Sequence, residues 1–488
     1  MKAITDTHVP SVRSGWYAPT KEVEKKRAWL LDPAFIRWAL LVVLVLRGLI
    51  FAFVVPPWQH PDEPTHFEHI RLIAERGELP APDTVDLPLR LEIAESMAKH
   101  GFWDPDPPPS FDHELMANPG LSTIGIYTLT HPRLYYILSA IWLKPWLGLD
   151  VESQLYIVRM LSVILNFFIV LVVYQMVKVL YPASKWLAVF VAAFVTFLPT
   201  FTDMMSAVNN DVLVNLFGAI FFLIMATIFK RGLTILRVTL LMVVLLLAFF
   251  TKTTALVLVS TLPVALLLYI WRSGHHLWFL GILVAVLLVV AASLILWQLD
   301  ILQGWINVVG DWMGEYLRVS FSGTFARLED PEYRSLPLHA APHVFRTFWG
   351  VFGWGHIPIA SAGYIAWGGI TMLASLGLIY IGLRWLVKVE KRSSYQEASS
   401  FLTFAVIASI LAWTIAIFRS VAYQGLSIYI SHGRYIFVAI APFVLALTMG
   451  MRVWIKERWH SIAGLLFIFC LALYDLYCFL GTVVPFYY

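Results

Sequence analysis

The fold class follows from residues 35–55, FIRWALLVVLVLRGLIFAFVV, in which two arginines interrupt an otherwise apolar run. A helix needs about 20 apolar residues to cross the hydrocarbon core of a bilayer. The whole chain shares this character, because 59% of its 488 residues are hydrophobic and only 14% are charged, with a mean hydropathy of +0.74. Soluble domains are about 45–50% apolar and about 25% charged. The sequence therefore predicts an all-α integral membrane protein.

Further apolar runs along the chain predict a helical bundle with about 11 transmembrane helices. The predicted spans are residues 35–55, 154–180, 185–202, 211–229, 233–250, 254–271, 277–299, 361–387, 400–418, 434–451 and 461–483. The net charge is only +4, and the basic residues form short clusters at the ends of these runs. That pattern marks membrane topology and excludes a nucleic-acid-binding protein.

The topology depends on residues 134–149, a shorter apolar run that Lys144 and Pro145 interrupt. If this run does not cross, nearly every Lys and Arg cluster falls inside, and the two long loops, 56–131 and 300–360, both fall outside. We therefore predict an inside amino terminus, an interfacial helix over 134–149, and two long outer loops that carry short amphipathic helices.

The chain divides into four parts on this interpretation. Residues 1–34 form a cytoplasmic basic tail, 35–299 a transmembrane core with its outer loop and interfacial helix, 300–360 the second outer loop, and 361–488 the C-terminal transmembrane helices. The basic tail leads into a segment long enough to span, and no small-residue cleavage site follows it, so we expect no cleaved signal peptide.

Titratable residues are concentrated in the stretch directly after the first span, WQHPDEPTHFEHIRLIAERGELP at 58–80. Asp62 or Glu63 is placed to cap a helix that has a proline in its first turn and ends at Gly77. Asp62, His66 and His69 are spaced i, i+4 and i+7, so they project from roughly one side of that helix.

Three interpretations of this cluster stay open. In the first, Asp62 is a helix cap and the histidines are interfacial. In the second, Asp62, His66 and His69 hold a divalent metal ion, although the spacing is not HExxH. In the third, Asp62 is a general base that acts on an acceptor hydroxyl at the outer leaflet. No other cofactor is indicated, since the chain has neither a P-loop nor a dinucleotide-binding glycine pattern.

The segment PDEPTHF at 61–67, followed by GELP, resembles the first outer loop of GT-C-type glycosyltransferases. Further segments resemble this superfamily in the same order: THPRLYYIL at 130–138, SAVNNDVLVNL at 206–216, TKTTALVLV at 251–259 and HGRYIFVAIAP at 432–442. Arg133 stands where the superfamily has a second proline. The segment FRTFWGVFGWGHIPI at 345–359 resembles a bacterial family of uncharacterised multi-pass membrane proteins allied to the GT-C group.

The resemblance implies a GT-C-like polytopic bundle in the bacterial plasma membrane with its active site on the outer face. Its activity would be transfer of a sugar from a polyprenyl-phosphate donor to an acceptor lipid, glycan or protein. The catalytic acid of the superfamily's loop matches Asp62, with Glu63 adjacent. A second acid recurs at Asp211.

The resemblance and the outward position of several cations suggest the rest of the site. We expect donor or acceptor contacts from residues His66, His131, Arg133, Asp211, Lys252, Arg346, Trp349, Trp354 and Arg434, and carrier-phosphate contacts from Arg47 and Arg159. Plainer roles stay open for some of them: snorkelling for Arg47, an interfacial anchor for Arg159, a helix cap for Asp211 and an aromatic belt for the two tryptophans.

Two other classes of function compete with the glycosyltransferase. A transporter or flippase of a lipid-linked or small solute would use intramembrane charges, but the titratable residues lie mainly in the loops, and no broken helices or internal repeats are evident. A non-catalytic scaffold of envelope assembly would tolerate the loss of Asp62.

Overall fold

A computed structural model describes residues 33–81, 84–104, 127–273, 324, 327–387, 393–422 and 427–488. The protein is an all-α membrane protein, and its one sheet in this part of the chain is a two-stranded hairpin. Seven helical segments are long and apolar enough to cross a membrane: Phe35–Val54, Val151–Leu180, Asp211–Arg231, Ser361–Arg384, Ser399–Ile417, Ile428–Arg452 and Glu457–Tyr487.

The N-terminal half begins with the first span and the outer loop and continues through the helices of the core. Its helices are α1 (Pro33–Val54), α2 (Glu63–Arg76), α3 (Leu87–Lys99), α4 (Leu134–Leu143), α5 (Val151–Leu180), α6 (Lys185–Thr196), α7 (Pro199–Ser206), α8 (Asp211–Arg231), α9 (Ile235–Phe249) and α10 (Leu256–Ser273). Short 3-10 turns cover Tyr127–Thr130, Lys144–Trp146 and Thr253–Ala255.

The C-terminal half contains α11 (Pro331–Arg334), α12 (Leu336–Gly350), strands β1 (Val351–Phe352) and β2 (Ile357–Pro358), α13 (Ser361–Val387), α14 (Ser393–Ile417), α15 (Arg419–Ala422), α16 (Ile440–Arg452), α17 (His460–Cys478) and α18 (Val484–Tyr487). The strands pair antiparallel, Val351 with Pro358 and Phe352 with Ile357. 3-10 turns at Ile428–Ile430, Gly433–Ala439 and Glu457–Trp459 and a π-helical turn at Phe479–Val483 join these helices.

The predicted span over 185–202 is not one straight helix. It consists of Trp186–Thr196 and Pro199–Ser206, which are bent by 64° relative to each other. Pro199 starts the second helix because its missing N–H is tolerated in a first turn. The expectation that the chain has no broken helices is therefore wrong.

Two more predicted spans are shorter than expected, and one lies outside the described residues. Ile235–Phe249 and Thr253–Tyr269 have 10–17 residues each, which corresponds to less than about 26 Å of helix. The prediction over 277–299 falls on residues that the structure does not describe.

The interfacial helix has the dimensions expected of one that does not cross. α4 has 10 residues, or about 15 Å of length, roughly half the hydrocarbon thickness. It packs on α2 and on the start of α5, and its Tyr135 and Tyr136 are buried there. The sidedness of the two long loops stays a prediction.

The core lies around α5, which packs against α1, α6 and α8, while α16 packs between α13 and α14. Small residues allow the close approach of α13 and α16, because a Cβ atom added at Gly450 would lie only 2.1 Å from the Ala374 carbonyl oxygen. Membrane helices commonly use small residues in this way, since dispersion contacts replace the hydrophobic effect in lipid.

Candidate functional site

Four charged side chains from distant segments of the chain meet beside the first outer loop. Arg434 Nη2 donates to Asp62 Oδ2 at 2.5 Å, and Lys252 Nζ donates to Asp211 Oδ1 at 2.8 Å. Arg434 Nε lies 3.9 Å from Asp211 Oδ2, so the guanidinium connects both carboxylates. We call Asp62, Asp211, Lys252 and Arg434 the charged cluster.

Asp62 occupies the N-cap position of α2, but its side chain makes no capping hydrogen bond. Its backbone is left-handed, with φ at 64° and ψ at 6°, a conformation that few non-glycine residues adopt. The carboxylate therefore contacts Arg434 and leaves its own helix uncapped. The interpretation of Asp62 as a cap is wrong, and so is a capping role for Glu63, which is the first residue of the helix.

Asp211 and Lys252 are held at helix ends that face each other. Asp211 is the first residue of α8, is 1% exposed, and donates its backbone N–H to Asn209 Oδ1 at 2.9 Å. It is not the N-cap of its helix, which is Asn210. Lys252 lies between α9 and the following 3-10 turn. Burial lowers the pKa of Lys252, although the Asp211 carboxylate opposes this change.

Three histidines surround the Tyr136 hydroxyl or ring next to the charged cluster. The hydroxyl lies 2.9 Å from His66 Nδ1 and 3.3 Å from His131 Nδ1, and the His69 ring stacks on the Tyr136 ring at 3.9 Å. Burial lowers the pKa of His69 and of His131 to about 3 and also lowers that of His66. Neutral imidazoles are therefore the form present at physiological pH. Arg133 is half-buried at the start of α4, and its charge also acts on His69.

The metal-site interpretation of Asp62, His66 and His69 is not supported by the geometry. His66 Nδ1 contacts the Tyr136 hydroxyl, and His69 Nδ1 lies 3.4 Å from Thr128 Oγ1. No group of three or more His, Cys, Asp or Glu residues in the described part of the chain could hold a metal ion. Helical spacing placed the three side chains near one another, but tertiary contacts directed them to different partners.

Glu63 is buried in a network that leaves no room for a substrate. Arg159 donates to it twice, from Nε to Oε1 at 2.8 Å and from Nη2 to Oε2 at 2.5 Å. The backbone N–H groups of Trp58 and Val208 each add a bond at 3.1 Å. Burial alone would raise the pKa of Glu63, but Arg159 and these bonds hold it below the usual value. This geometry favours a structural role, and the catalytic proposal is therefore restricted to Asp62.

Arg159 and Arg47, the two candidates for the carrier phosphate, are both committed to protein groups. Arg159 is fully buried and, besides Glu63, donates to the backbone carbonyls of Ala52, Val55 and Pro56. It thus joins the outer end of α1 to α2. A buried guanidinium with this many protein acceptors favours a structural role for Arg159 over an interfacial anchor or a phosphate contact.

Arg47 pairs with a residue that the sequence analysis did not single out. Its Nε donates to Asp475 Oδ2 at 2.6 Å and its Nη2 contacts the other carboxylate oxygen. Its Nη1 contacts the Thr196 carbonyl oxygen and donates to Thr202 Oγ1 at 3.0 Å. The first span, the broken α6–α7 segment and α17 are joined by this pair. Arg47 neither snorkels nor faces a phosphate site.

The three candidates at residues 345–359 each have their own packing contacts. Trp349 is fully buried and stacks on Trp367 with ring centroids 3.9 Å apart. Trp354 donates its indole N–H to the Trp58 carbonyl oxygen at 3.1 Å. Arg346 is exposed, 5.7 Å from the Tyr364 ring centroid. The burial of Trp349 does not fit a sugar contact or an aromatic belt, whereas the expected contacts of Trp354 and Arg346 stay predictions.

The site also contains residues that the sequence analysis did not single out. Tyr136 joins two of the histidines, and Asn210 Nδ2 lies 3.5 Å from its hydroxyl. The Tyr435 ring lies below Arg419 at 3.9 Å and is 5.8 Å from Lys252 Nζ. Tyr136 and Tyr435 lie inside the quoted motifs THPRLYYIL and HGRYIFVAIAP, so the motifs pointed to them, whereas no sequence pattern marks Arg419.

The comparison with protein families agrees with a membrane protein. No curated protein matches the sequence. One solved structure that matches is ArnT from Cupriavidus metallidurans in the apo state, with 14% sequence identity and a TM-score of 0.30 over 86% of this chain and 78% of that chain. A family model described as "Predicted membrane protein (DUF2142)" matches residues 45–444. The chain therefore belongs to this DUF2142 family of membrane proteins.

Proposed function

We propose that the protein transfers a sugar from a polyprenyl-phosphate donor to an acceptor hydroxyl at the outer face of the plasma membrane. The observation that carries this proposal is the charged cluster, in which a loop carboxylate shares a guanidinium with Asp211. The cations suit a phosphate leaving group, and Asp62 suits the attacking hydroxyl. The order of the GT-C-like motifs along the chain supports the same reaction class.

The reaction would proceed as a displacement at the anomeric carbon. The acceptor oxygen forms a bond to that carbon, and the bond between the carbon and the phosphate oxygen breaks. The electron pair leaves with the phosphate, and Asp62 takes the hydroxyl proton or orients the hydroxyl during attack. Lys252 and Arg434 would stabilise the negative charge on the phosphate. Arg434 would then exchange part of its contact with Asp62 for the phosphate, leaving the carboxylate available to the acceptor.

A long hydrocarbon chain on the donor is supported by an apolar groove beside the site. A cavity of about 760 Å³ runs between α13, α14 and α16, with residues such as Trp413, Ile417 and Phe443 in its wall. Ile417 in its wall lies two residues before Arg419, whose guanidinium covers the Tyr435 ring. The apolar groove and the cations together match an amphipathic carrier lipid with a phosphate head.

Asp62→Asn tests the proposal, because asparagine keeps the size and tolerates the left-handed backbone. We expect transfer to fall by about 10²–10⁴, the usual worth of general-base assistance. The assay incubates purified protein with undecaprenyl-phosphate-linked glucose, mannose and N-acetylglucosamine and with total membrane lipid and glycan as acceptor. Transfer at a near wild-type rate by Asp62→Asn would refute the assignment.

Asp86→Asn is the matched control for this experiment. Asp86 is the N-cap residue of α3 in the same loop, accepts from Leu89 N–H at 3.2 Å and pairs with Arg76. It lies at the start of a neighbouring helix, and its ion pair in the described part of the chain is with Arg76, outside the charged cluster. We expect its transfer rate to stay within about twofold of wild type, since an exposed pair is worth little.

The broken α6–α7 helix gives the transporter alternative one specific observation in its favour. Bent helices in transporters supply free backbone groups to a substrate. Here Arg47 already contacts the Thr196 carbonyl at the bend, and Thr196 and Thr202 are fully buried. Uptake or flipping of a fluorescent polyprenyl-phosphate sugar in proteoliposomes, without chemical transfer, would support the transporter instead.

A further inference from the structure

A second cavity, distinct from the apolar groove, lies at the end of α16 away from the charged cluster. Its volume is about 400 Å³, and its wall combines polar groups with aromatic rings: Ser184, Trp186, Phe190, Arg452, His460 and Ser461. These residues come from the α5–α6 connection, the first turns of α6, the end of α16 and the start of α17.

The cavity and the charged cluster lie at opposite membrane faces. Arg434 is in the 3-10 turn that leads into α16, and Arg452 is the last residue of that helix. The intervening helix and turn span about 30 Å, the thickness of the hydrocarbon core. On the predicted topology, in which the charged cluster is outside, the cavity faces the cytoplasm.

Arg452 is half-buried in this cavity and is paired with a neutral group. Its Nη2 lies 3.0 Å from His460 Nδ1, and its Nη1 lies 3.9 Å from Met449 Sδ. A guanidinium can only donate, so His460 Nδ1 accepts. His460 Nε2 then carries the proton and faces the carbonyls of Arg452 at 3.3 Å and Ile455 at 3.0 Å. The Glu457 carboxylate acts on Arg452 without forming an ion pair with it in the described part of the chain.

Two helix starts add further positive potential at the same place. α6, with 12 residues, begins after Ser184, whose side chain makes no capping bond. α17, with 19 residues, begins at His460, and its N-cap position, Trp459, supplies no side-chain bond. The His460 N–H already donates to the Glu457 carbonyl and the Leu187 N–H to the Ser184 carbonyl, but both helix N-termini still carry a partial positive charge. The cavity therefore combines a guanidinium, two serine hydroxyls and two helix N-termini, all suited to an anion.

The surroundings indicate that this anion arrives from the membrane. Trp454 and Trp459 are 53% and 49% exposed beside the cavity, as in an aromatic belt at the lipid headgroup level. Trp186 and Phe190 supply an apolar wall that would contact the glycerol and acyl region. Basic pockets between transmembrane helices on the cytoplasmic side suit anionic lipid headgroups.

We propose that this cavity binds the phosphate of an anionic phospholipid at the face opposite the charged cluster. Arg452 would donate to the phosphodiester oxygens, held in place by His460, with the hydroxyls of Ser184 and Ser461 as further donors. This site is independent of the proposed sugar transfer.

The test compares lipids by native mass spectrometry and by thermal unfolding of the full-length protein in detergent. Dioleoyl phosphatidylglycerol, dioleoyl phosphatidylcholine and soluble glycerol phosphate are titrated separately. We expect phosphatidylglycerol to bind and to raise the melting temperature more than the other two. In Arg452→Gln we expect its affinity to fall about tenfold or more, because a charge-assisted hydrogen bond is lost.

Arg458→Gln is the matched control, since Arg458 is exposed on the same short connection and covers the Trp459 ring at 5.6 Å. Its phosphatidylglycerol affinity should stay within about twofold. Ser461→Glu supplies a second variant, because an acid is favourable in a first helical turn and would pair with Arg452 in place of the lipid. Equal binding of phosphatidylcholine, an equal effect of glycerol phosphate, or unchanged affinity in both Arg452→Gln and Ser461→Glu would overturn the proposal.

Discussion

Glu63→Gln should destabilise the protein strongly, and the adjacent Asp62→Asn should destabilise it less. Each carboxylate oxygen of Glu63 accepts two hydrogen bonds, one from Arg159 and one from a backbone N–H. A glutamine has one NH2 group in place of an oxygen. In either orientation of the amide, the glutamine NH2 group would therefore face two N–H donors, one from the charged Arg159 and one from the backbone.

The expected loss is about 3–5 kcal/mol of unfolding free energy, the usual result of removing one partner of a buried ion pair. The Arg159 guanidinium keeps its contacts with the carbonyls of Ala52 and Val55, which favours the lower part of that range. Asp62 is different, because its side chain is 20% exposed and makes no cap. Asp62→Asn should cost less than Glu63→Gln, because the amide oxygen can still accept from Arg434, whose Nε also lies 3.9 Å from Asp211 Oδ2.

Unfolding in mixed micelles with increasing SDS, followed by circular dichroism, measures both variants. Glu75→Gln is the control on the same helix, since Glu75 pairs with Arg71 at 2.6 Å and its side chain is 35% exposed. We expect that control to lose less than about 1 kcal/mol. If Glu63→Gln unfolded within about 1 kcal/mol of wild type and yet lost sugar transfer, Glu63 would take part in the chemistry and the structural interpretation would fail.

Three further predictions concern buried groups away from the reacting atoms. The neutral form of His69 is favoured in the fold, with a pKa lowered from 6.5 to about 3, so its contribution is complete above pH 6.5 and lost as pH falls towards 3. The His69 share of the stability lost between pH 7 and pH 5 should be about 2 kcal/mol, and His131 adds to the total loss because its pKa is also lowered to about 3. Unfolding of the wild type and of His69→Gln at both pH values measures this share, which His69→Gln should lack. Asp475→Asn should destabilise the protein by about 3–5 kcal/mol in the same assay, because it leaves the Arg47 charge unpaired in the membrane. The double variant Arg47→Met/Asp475→Leu removes both charges and should lose less stability; equal losses would contradict the ion-pair argument. Trp349→Ala should cost about 3–5 kcal/mol through the cavity it leaves against Trp367, and a variant that kept full stability but bound donor more weakly would restore the sugar-stacking interpretation.

The sequence alone determined the class of protein and the segments that form the site. A chain with 59% hydrophobic residues must bury its surface in lipid, and spans of about 20 residues follow from the bilayer thickness. Asp62, Asp211, Lys252 and Arg434 were all marked by motifs in the expected order, and the structure brings these four together. Motif order could point to them because each lies at a helix end, and helix ends at one membrane face lie near one another.

Only the tertiary structure decided which partner each buried charge took. Arg47 and Asp475 are 428 residues apart and Arg159 and Glu63 are 96 apart, so no local pattern links them. The bend between α6 and α7 was hidden in the same way, since its freed carbonyl is satisfied by Arg47 from another helix.

The same reason separates the two neighbouring acids. Asp62 and Glu63 are adjacent in sequence, but Asp62 has a left-handed backbone and Glu63 begins a helix, so their side chains point to different sides. One carboxylate reaches Arg434 in the charged cluster, and the other is buried against Arg159. Sequence determined that two acids follow the first span, and packing decided which one faces the cluster, because the direction of a side chain depends on backbone dihedrals that distant contacts hold in place.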